Sequence, residues 1–255
     1  MTEAQNPLTP ADVHLVAASA NLTTPARVLA VGAHPDDVDF GCGATLAKWA
    51  AAGCVVNVLV CTDGSKGTWD PSADETELVA TRQREQRAAA LALGATGEVG
   101  FLGHVDGELG SGLVQRADVA HWIRKTRPNV VIGHDPWKRY RLHPDHRHAG
   151  LLLTEGVVAA RDPKFFPDQE HPHHRPDALL LWEADEPDHV EDVTGFLDAK
   201  LTALLSHRSQ FESTMASGDD PELTGFRRRV EAKLATAGRA GGVVHAEVFK
   251  LIDDL

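Results

Sequence analysis

The sequence predicts an α/β protein with a Rossmann-like, mainly parallel sheet and helices on both faces. Short apolar runs alternate with helical stretches of about 10 to 20 residues, the rhythm of repeated βαβ units. The runs are continuously apolar rather than alternating, as strands covered on both faces are. The bulk composition agrees: 255 residues, 42% hydrophobic and 24% charged, is ordinary for a globular chain, and this length suits one large domain or two small ones. We place a polar N-terminal arm at residues 1–25 and a single domain at residues 26–255.

The elements follow in order. "RVLAVGA" (27–33) is the first strand. "GATLAKWAAAG" (43–53) has helical composition and stops at Gly53. "CVVNVLVCT" (54–62) is the second strand, separated by the polar stretch Asp63 to Asp74 from a long helix over 75–93, which Gly94 closes. "EVGFLG" (98–103) is a short strand. "LVQRADVAHWIRKT" (113–126) is amphipathic and ends before Pro128, where helices often end. "NVVIGHD" (129–135) is a strand, and the helix over 143–161 carries Pro at its second position, a favoured residue in a first turn. "DALLLWEAD" (177–185) is a strand, stretches 194–212 and 221–237 are helical, and "HAEVFKLI" (245–252) is the last strand. The Pro- and His-rich segment 162–176 is a long loop; loops of this length are usually functional or mobile, and it is either a lid or a surface loop.

Charge and termini exclude several classes. A net charge of −12 argues against a nucleic-acid or anionic-membrane partner, which needs a basic face. The three cysteines, Cys42, Cys54 and Cys61, form no C-x-x-C pair and fall in or beside apolar segments, as small buried residues in a reduced compartment do. The first residues do not read as a secretory signal, and no apolar run approaches the ~20 residues of a membrane span. The expectation is a soluble cytoplasmic protein, with a homo-oligomer left open.

Ligands of open α/β sheets bind outside the carboxyl ends of the strands. Three polar clusters fall at such ends: His34-Pro35-Asp36-Asp37, Thr62-Asp63-Gly64, and the region from His134 to His146. A catalytic zinc site takes three protein ligands and leaves a fourth position open. Two histidines and one carboxylate can be drawn from the first and third clusters. A carboxylate left over beside the metal suits a general base, and a spare histidine suits oxyanion stabilisation or amine protonation. Each motif alone is also compatible with a turn or a helix start; their conjunction favours the metal. "GCGATL" (41–46) lacks the third glycine of a dinucleotide fingerprint and lies too far past the strand.

"AHPDD" after a first strand, with "HPDH" opening a helix after a later one, resembles the LmbE-like family, also called the PIG-L family of metal-dependent N-acetylglucosaminyl deacetylases. The similarity in pattern runs from about Arg27 to Trp182. It implies a hydrolase that removes the N-acetyl group of a small 2-acetamido sugar or its conjugate. The resemblance implies a metal, zinc or equally Fe(II), since two histidines and a carboxylate suit either. The resemblance places the ligands on His34, Asp37 and His146 and the general base on Asp36. It makes His143 the residue that stabilises the tetrahedral intermediate and Asp145 the residue that orients a histidine. "TRQRE" resembles the family's Arg-x-x-Glu helix start, implying Arg82 on the acetyl side with Glu85 as partner. "FLGHVDGEL" resembles its Leu-Gly-x-x-Asp-Gly segment, implying that Asp106 binds sugar hydroxyls or supports the site. Two positions depart from the pattern: Val38 stands where Glu is common, and Leu142 where Gly is common before the second motif. "WKRYR" (137–141) is read as a surface loop, and His171, His173 and His174 belong to loop 162–176. Asp39 receives no role. Two alternatives stand beside this reading: an amidase or esterase with the same machinery, and a nucleotide-binding Rossmann protein without hydrolytic activity.

Overall fold

Residues 19–216 and 223–255 are described by the structure, a computed structural model. Its strands are β1 (Ser19–Ala20), β2 (Arg27–Gly32), β3 (Val55–Thr62), β4 (Val99–His104), β5 (Val130–His134), β6 (Ala178–Trp182), β7 (His189–Asp192) and β8 (Ala246–Ile252). They form one sheet in the order β1-β7-β8-β6-β5-β2-β3-β4. The helices are α1 (Asp37–Ala51), α2 (Glu75–Ala92), α3 (Leu113–Thr126), α4 (Pro144–Arg161), α5 (Leu197–Leu204) and α6 (Thr224–Gly241). β2 pairs in parallel with β3 on one side and β5 on the other. The chain therefore winds outward from β2 in both directions, and the crevice where it reverses lies at the carboxyl ends of β2 and β5. β8 departs from the parallel pattern, running antiparallel to β6 and β7.

Alternate residues of β2 enter two cores. Val28 and Ala30 pack with Leu46, Trp49, Ala89 and Ala203, from α1, α2 and α5. Leu29 and Val31 pack with Ile123, Leu152 and Val157, from α3 and α4. Helices thus cover both faces, which is why the strand reads as continuously apolar. Burying each large aliphatic side chain contributes about 1.5–3 kcal/mol relative to exposure.

Two strands escape the hydropathy pattern, both at the far edge. Residues 1–18 of the expected arm lie outside the described residues; Ser19–Ala20 pair in parallel with β7. β7 buries His189 and Glu191, which bond each other at 2.9 Å, while Lys48 Nζ donates to Glu191 at 2.7 Å. Its buried face is polar and satisfied, so it carries no apolar signal.

α1 begins earlier than expected, at Asp37, and is broken at Cys42 (φ −146°, ψ 17°). A buried ion pair splices the break. Glu247 accepts the freed N–H groups of Ala44 (3.2 Å) and Thr45 (2.8 Å). Its partner Lys200 donates to Glu247 at 2.5 Å and to the carbonyl of Phe40 at 2.7 Å. The Gly-x-Gly of the sequence serves this break and not a nucleotide: a Cβ on Gly41 would stand 2.4 Å from the Trp182 ring.

Loop 162–176 is not a lid. α4 starts at the crevice and runs 18 residues, about 27 Å, so the loop that follows it lies at the opposite end of the sheet. Arg124 pins it there, donating to the carbonyls of Asp162, Phe165 and Phe166. His174 bonds the carbonyl of Pro128 at 2.7 Å, just ahead of β5. Among the described residues no helix is long and apolar enough to cross a membrane.

Candidate metal centre and active site

β2 ends against a turn that reverses into α1. Asp36 lies at its apex with φ 106° and ψ −28°, a left-handed conformation that costs a residue with a Cβ about 1–3 kcal/mol. Neighbours hold it there. Its N–H donates to Gln86 Oε1 at 2.8 Å. Arg82 Nη2 donates to the Pro35 carbonyl at 2.6 Å and to Asp36 Oδ2 at 3.3 Å, while Nη1 donates to the Gly64 carbonyl at 2.9 Å. Arg82 is thus a buried clamp on this turn and not a solvated helix charge. It does not pair with Glu85, which accepts instead from the backbone N–H and hydroxyl of Ser209, at 2.9 and 2.6 Å.

Three donor atoms converge beneath the turn. His34 Nδ1 lies 3.4 Å from Asp37 Oδ2 and 3.2 Å from His146 Nε2, and His146 Nε2 lies 3.4 Å from Asp37 Oδ1. Tetrahedral ligands at about 2.0–2.1 Å from an ion stand about 3.3 Å from one another, so the spacing fits one small cation. His34, His143 and His146 also bring ring nitrogens close enough to share an ion. The His143 ring packs edge-on to His34 at 4.6 Å and stacks on His146 at 4.7 Å, and His143 is itself exposed.

The far side of His34 faces acid. Its Nε2 is 3.1 Å from Asp145 Oδ2 and 3.2 Å from Asp106 Oδ1. A proton on Nε2 leaves the Nδ1 lone pair turned toward Asp37 and His146, the carboxylate–histidine arrangement that orients metal ligands. Asp145 is fully buried; its carboxylate also takes the N–H groups of Gly107 (2.6 Å) and Leu109 (3.2 Å), tying α4 to the loop after β4. Asp106 accepts the Lys66 N–H at 3.2 Å.

The surroundings favour a positive charge at the cluster. Burial lowers the His34 pKa, but its hydrogen bonds to the carboxylates of Asp106, Asp145 and Asp37 outweigh this and hold it well above the ordinary value. Burial raises Asp37, yet the nearby His146 and His134 bring it well below the carboxylate range. Burial pushes His146 down to about 3, leaving a neutral imidazole. Asp36 is pushed up to about 6 by burial, with Arg82 opposing.

His134 belongs to a strand-end cluster read from the sequence, while Gln86, Arg141 and His207 carried no signal that set them apart. His134 Nδ1 accepts from Trp182 Nε1 at 3.0 Å, so its proton sits on Nε2, 3.2 Å from Asp37 Oδ2. That tautomer turns the N–H toward Asp37, and Asp37, His134 and His146 together form a second group close enough to share an ion. Arg141, expected on a surface loop, is buried; it bonds Glu183 at 2.8 Å and His134 Nδ1 at 3.1 Å. Its Nη1 also lies 3.2 Å from His146 Nδ1. Asp39 accepts from Gln86 and His207, each at 2.9 Å. His148 turns away to Ser111 at 3.1 Å. The remaining aromatics of "WKRYR", Trp137 and Tyr140, are exposed.

The chain matches known proteins over these residues. It is 36% identical over 188 residues to a diacetylchitobiose deacetylase of Thermococcus kodakarensis, covering 72% of this chain and 70% of that one. It is 31% identical over 243 residues to a 1D-myo-inositol 2-acetamido-2-deoxy-alpha-D-glucopyranoside deacetylase of Thermomonospora curvata, covering 73% and 81%. Its fold superposes on the N,N'-diacetylchitobiose deacetylase of Pyrococcus horikoshii with a TM-score of 0.81 and 30% identity, over 90% of this chain and 84% of that one. Residues 29–157, from β2 through most of α4, match the family model described as GlcNAc-PI de-N-acetylase, and with both sequence motifs inside that span the chain belongs to this PIG-L family.

Proposed function

We propose that residues 26–255 form one domain that hydrolyses the N-acetyl amide of a 2-acetamido sugar or its conjugate, releasing acetate and a free amine. The observation that carries this is the convergence of His34 Nδ1, Asp37 and His146 Nε2 at 3.2–3.4 Å, with the adjacent Asp36 left out of the donor set and bonded to Arg82 instead. The donor set of two imidazoles and one carboxylate fits zinc, and equally Fe(II). The ion, when bound, supplies Lewis acidity that polarises the carbonyl and acidifies water.

The chain's own residues do the rest. Asp36, its pKa raised to about 6 by burial, is poised near neutrality, where a general base works best. It takes the proton of the attacking water and returns it to the departing amine. Arg82 fixes its turn. His143, open to solvent on one side but partly desolvated where its ring packs against His34 and His146, has its pKa lowered by that desolvation and by His34; it is a neutral imidazole that donates a hydrogen bond to the developing oxyanion. Asp145 and Asp106 hold the His34 tautomer. A thiol-sugar amidase would use the same residues and differ only in the pocket. The three cysteines are buried and free, which suits the cytoplasm.

The test is acetate release from N-acetylglucosamine, N,N'-diacetylchitobiose and N-acetylglucosaminyl-inositol, before chelation, after it, and after zinc is restored. Release that follows zinc is the expected result. Undiminished release from the chelated protein, or none from any of the three sugars when zinc-loaded, would overturn the reading.

A further inference from the structure

The strained backbone of Asp36 is held from a direction the reaction itself does not explain. Its N–H donates to Gln86 Oε1 at 2.8 Å. A glutamine amide offers an acceptor at one end and donors at the other, so something must set which end faces Asp36. Gln86 Nε2 donates to Asp39 Oδ2 at 2.9 Å. The same oxygen receives His207 Nε2 at 2.9 Å. Gln86, Asp39 and His207 are all fully buried, and His207 lies beyond the residues that match the family model.

We propose that Gln86, oriented by Asp39 and His207, is a positioning residue for the reaction: it keeps the Asp36 backbone in the left-handed conformation that turns its carboxylate to the ligand cluster. None of the three need touch substrate. An apolar side chain at 86 leaves the Asp36 N–H buried and unpaired. The turn then relaxes toward an ordinary conformation, and the carboxylate moves with it. A displacement of about 1 Å from reacting geometry is enough to cost about 100-fold in rate. The proposal rests on Asp36 being the general base.

The experiment compares Gln86→Met, Asp36→Asn and the double variant, all zinc-loaded, with N,N'-diacetylchitobiose as probe. We expect Gln86→Met to lower kcat about 10- to 100-fold, with KM and zinc content unchanged. In the Asp36→Asn background it should cost nothing more, because the group it positions is already gone. A native kcat in Gln86→Met, or the same loss in both backgrounds, would overturn the positioning role. A fully active Asp36→Asn would instead sink the base assignment. Amide hydrogen exchange over residues 34–40 reads the same contact without turnover. Faster exchange at Asp36 in Gln86→Met, but not in Glu85→Gln, is expected; unchanged protection overturns the proposal. If Gln86→Met does not fold, Gln86→Glu carries the test. Its carboxylate meets that of Asp39 and should lose activity, and adding Asp39→Asn should restore it: the amide donates one N–H to the new carboxylate at position 86 and the other to His207 Nε2, whose proton moves to the unpartnered Nδ1. Failure of that rescue counts against the proposal.

Discussion

Asp36 and Asp37 are neighbours in the chain with opposite burdens. Asp37 faces three histidines, and its charge is stabilised; Asp36 is buried beside one guanidinium and is pushed toward the neutral form. Their substitution should separate the roles. Asp36→Ala should retain one zinc per chain and lose turnover by about 100-fold or more, within the range of general-base catalysis. His34→Ala should lose both zinc and turnover. Zinc content by atomic emission beside acetate release decides it, and a fully active Asp36→Ala would remove Asp36 from the mechanism. Gly41 offers a second test at this scale. Its missing side chain admits Trp182, whose indole N–H fixes the His134 tautomer. Gly41→Ala would force the ring away and should destabilise by about 1–3 kcal/mol, as overpacking does. Urea denaturation measures the loss, and an unchanged midpoint would mean that Trp182 has room to yield. The motif residues of this site were legible because His-Pro-Asp-Asp and His-Pro-Asp-His are short and local. Gln86, Arg141 and His207 were not, because each acts through a partner distant in sequence, and one buried polar residue looks like any other until its partner is known.

At the scale of the element, the sheet's parallel core was legible and its polar edge was not. β2, β3, β5 and β6 are apolar along most of their length because helices cover both faces. β7 is built on His189 and Glu191, whose burial is made tolerable by Lys48, Ser19 and the Leu22 N–H, all remote in sequence. α1 was likewise read from its second half alone, since its first turn consists of site residues and its break is repaired by Lys200 and Glu247. The edge makes a pH prediction. Burial raises the Glu191 pKa, but bonds from His189, Lys48 and the Leu22 N–H outweigh it and leave it below its ordinary value. A depressed carboxylate contributes stability above its unfolded pKa, about 4.5, and loses it as pH falls through the folded value. Glu191→Gln should therefore cost stability at pH 7, about 1–3 kcal/mol for a buried charged network left partly unpaired. The gap to the unsubstituted protein should narrow steadily below pH 4.5. A gap independent of pH would show that the carboxylate's charge does not support β7.

Across the whole molecule, the winding of the chain decides where the acids meet. Asp36 and Asp37 follow β2, Asp106 follows β4, and Asp145 opens α4 after β5; only the reversal of strand order beside β2 brings these three segments to one crevice. Four carboxylates gathered there within a chain of net charge −12 repel one another, and three of them, Asp37, Asp106 and Asp145, raise the pKa of His34 between them. On the proposed reading a divalent ion neutralises the cluster more completely and binds the assembled crevice more tightly than the unfolded chain, so it should stabilise the entire fold and not just the site. With free zinc at 100 times its dissociation constant, the gain is about 2.7 kcal/mol. Zinc must be kept near stoichiometric, because the unfolded chain offers 14 histidines and three cysteines that compete for it. Calorimetry of the chelated protein should therefore show one cooperative transition that rises on adding one equivalent of zinc. Asp37→Asn, which keeps the shape and removes the ligand charge, should abolish the rise. A transition that zinc leaves unmoved in the unsubstituted protein would mean that the crevice, for all its convergent donors, does not hold the ion.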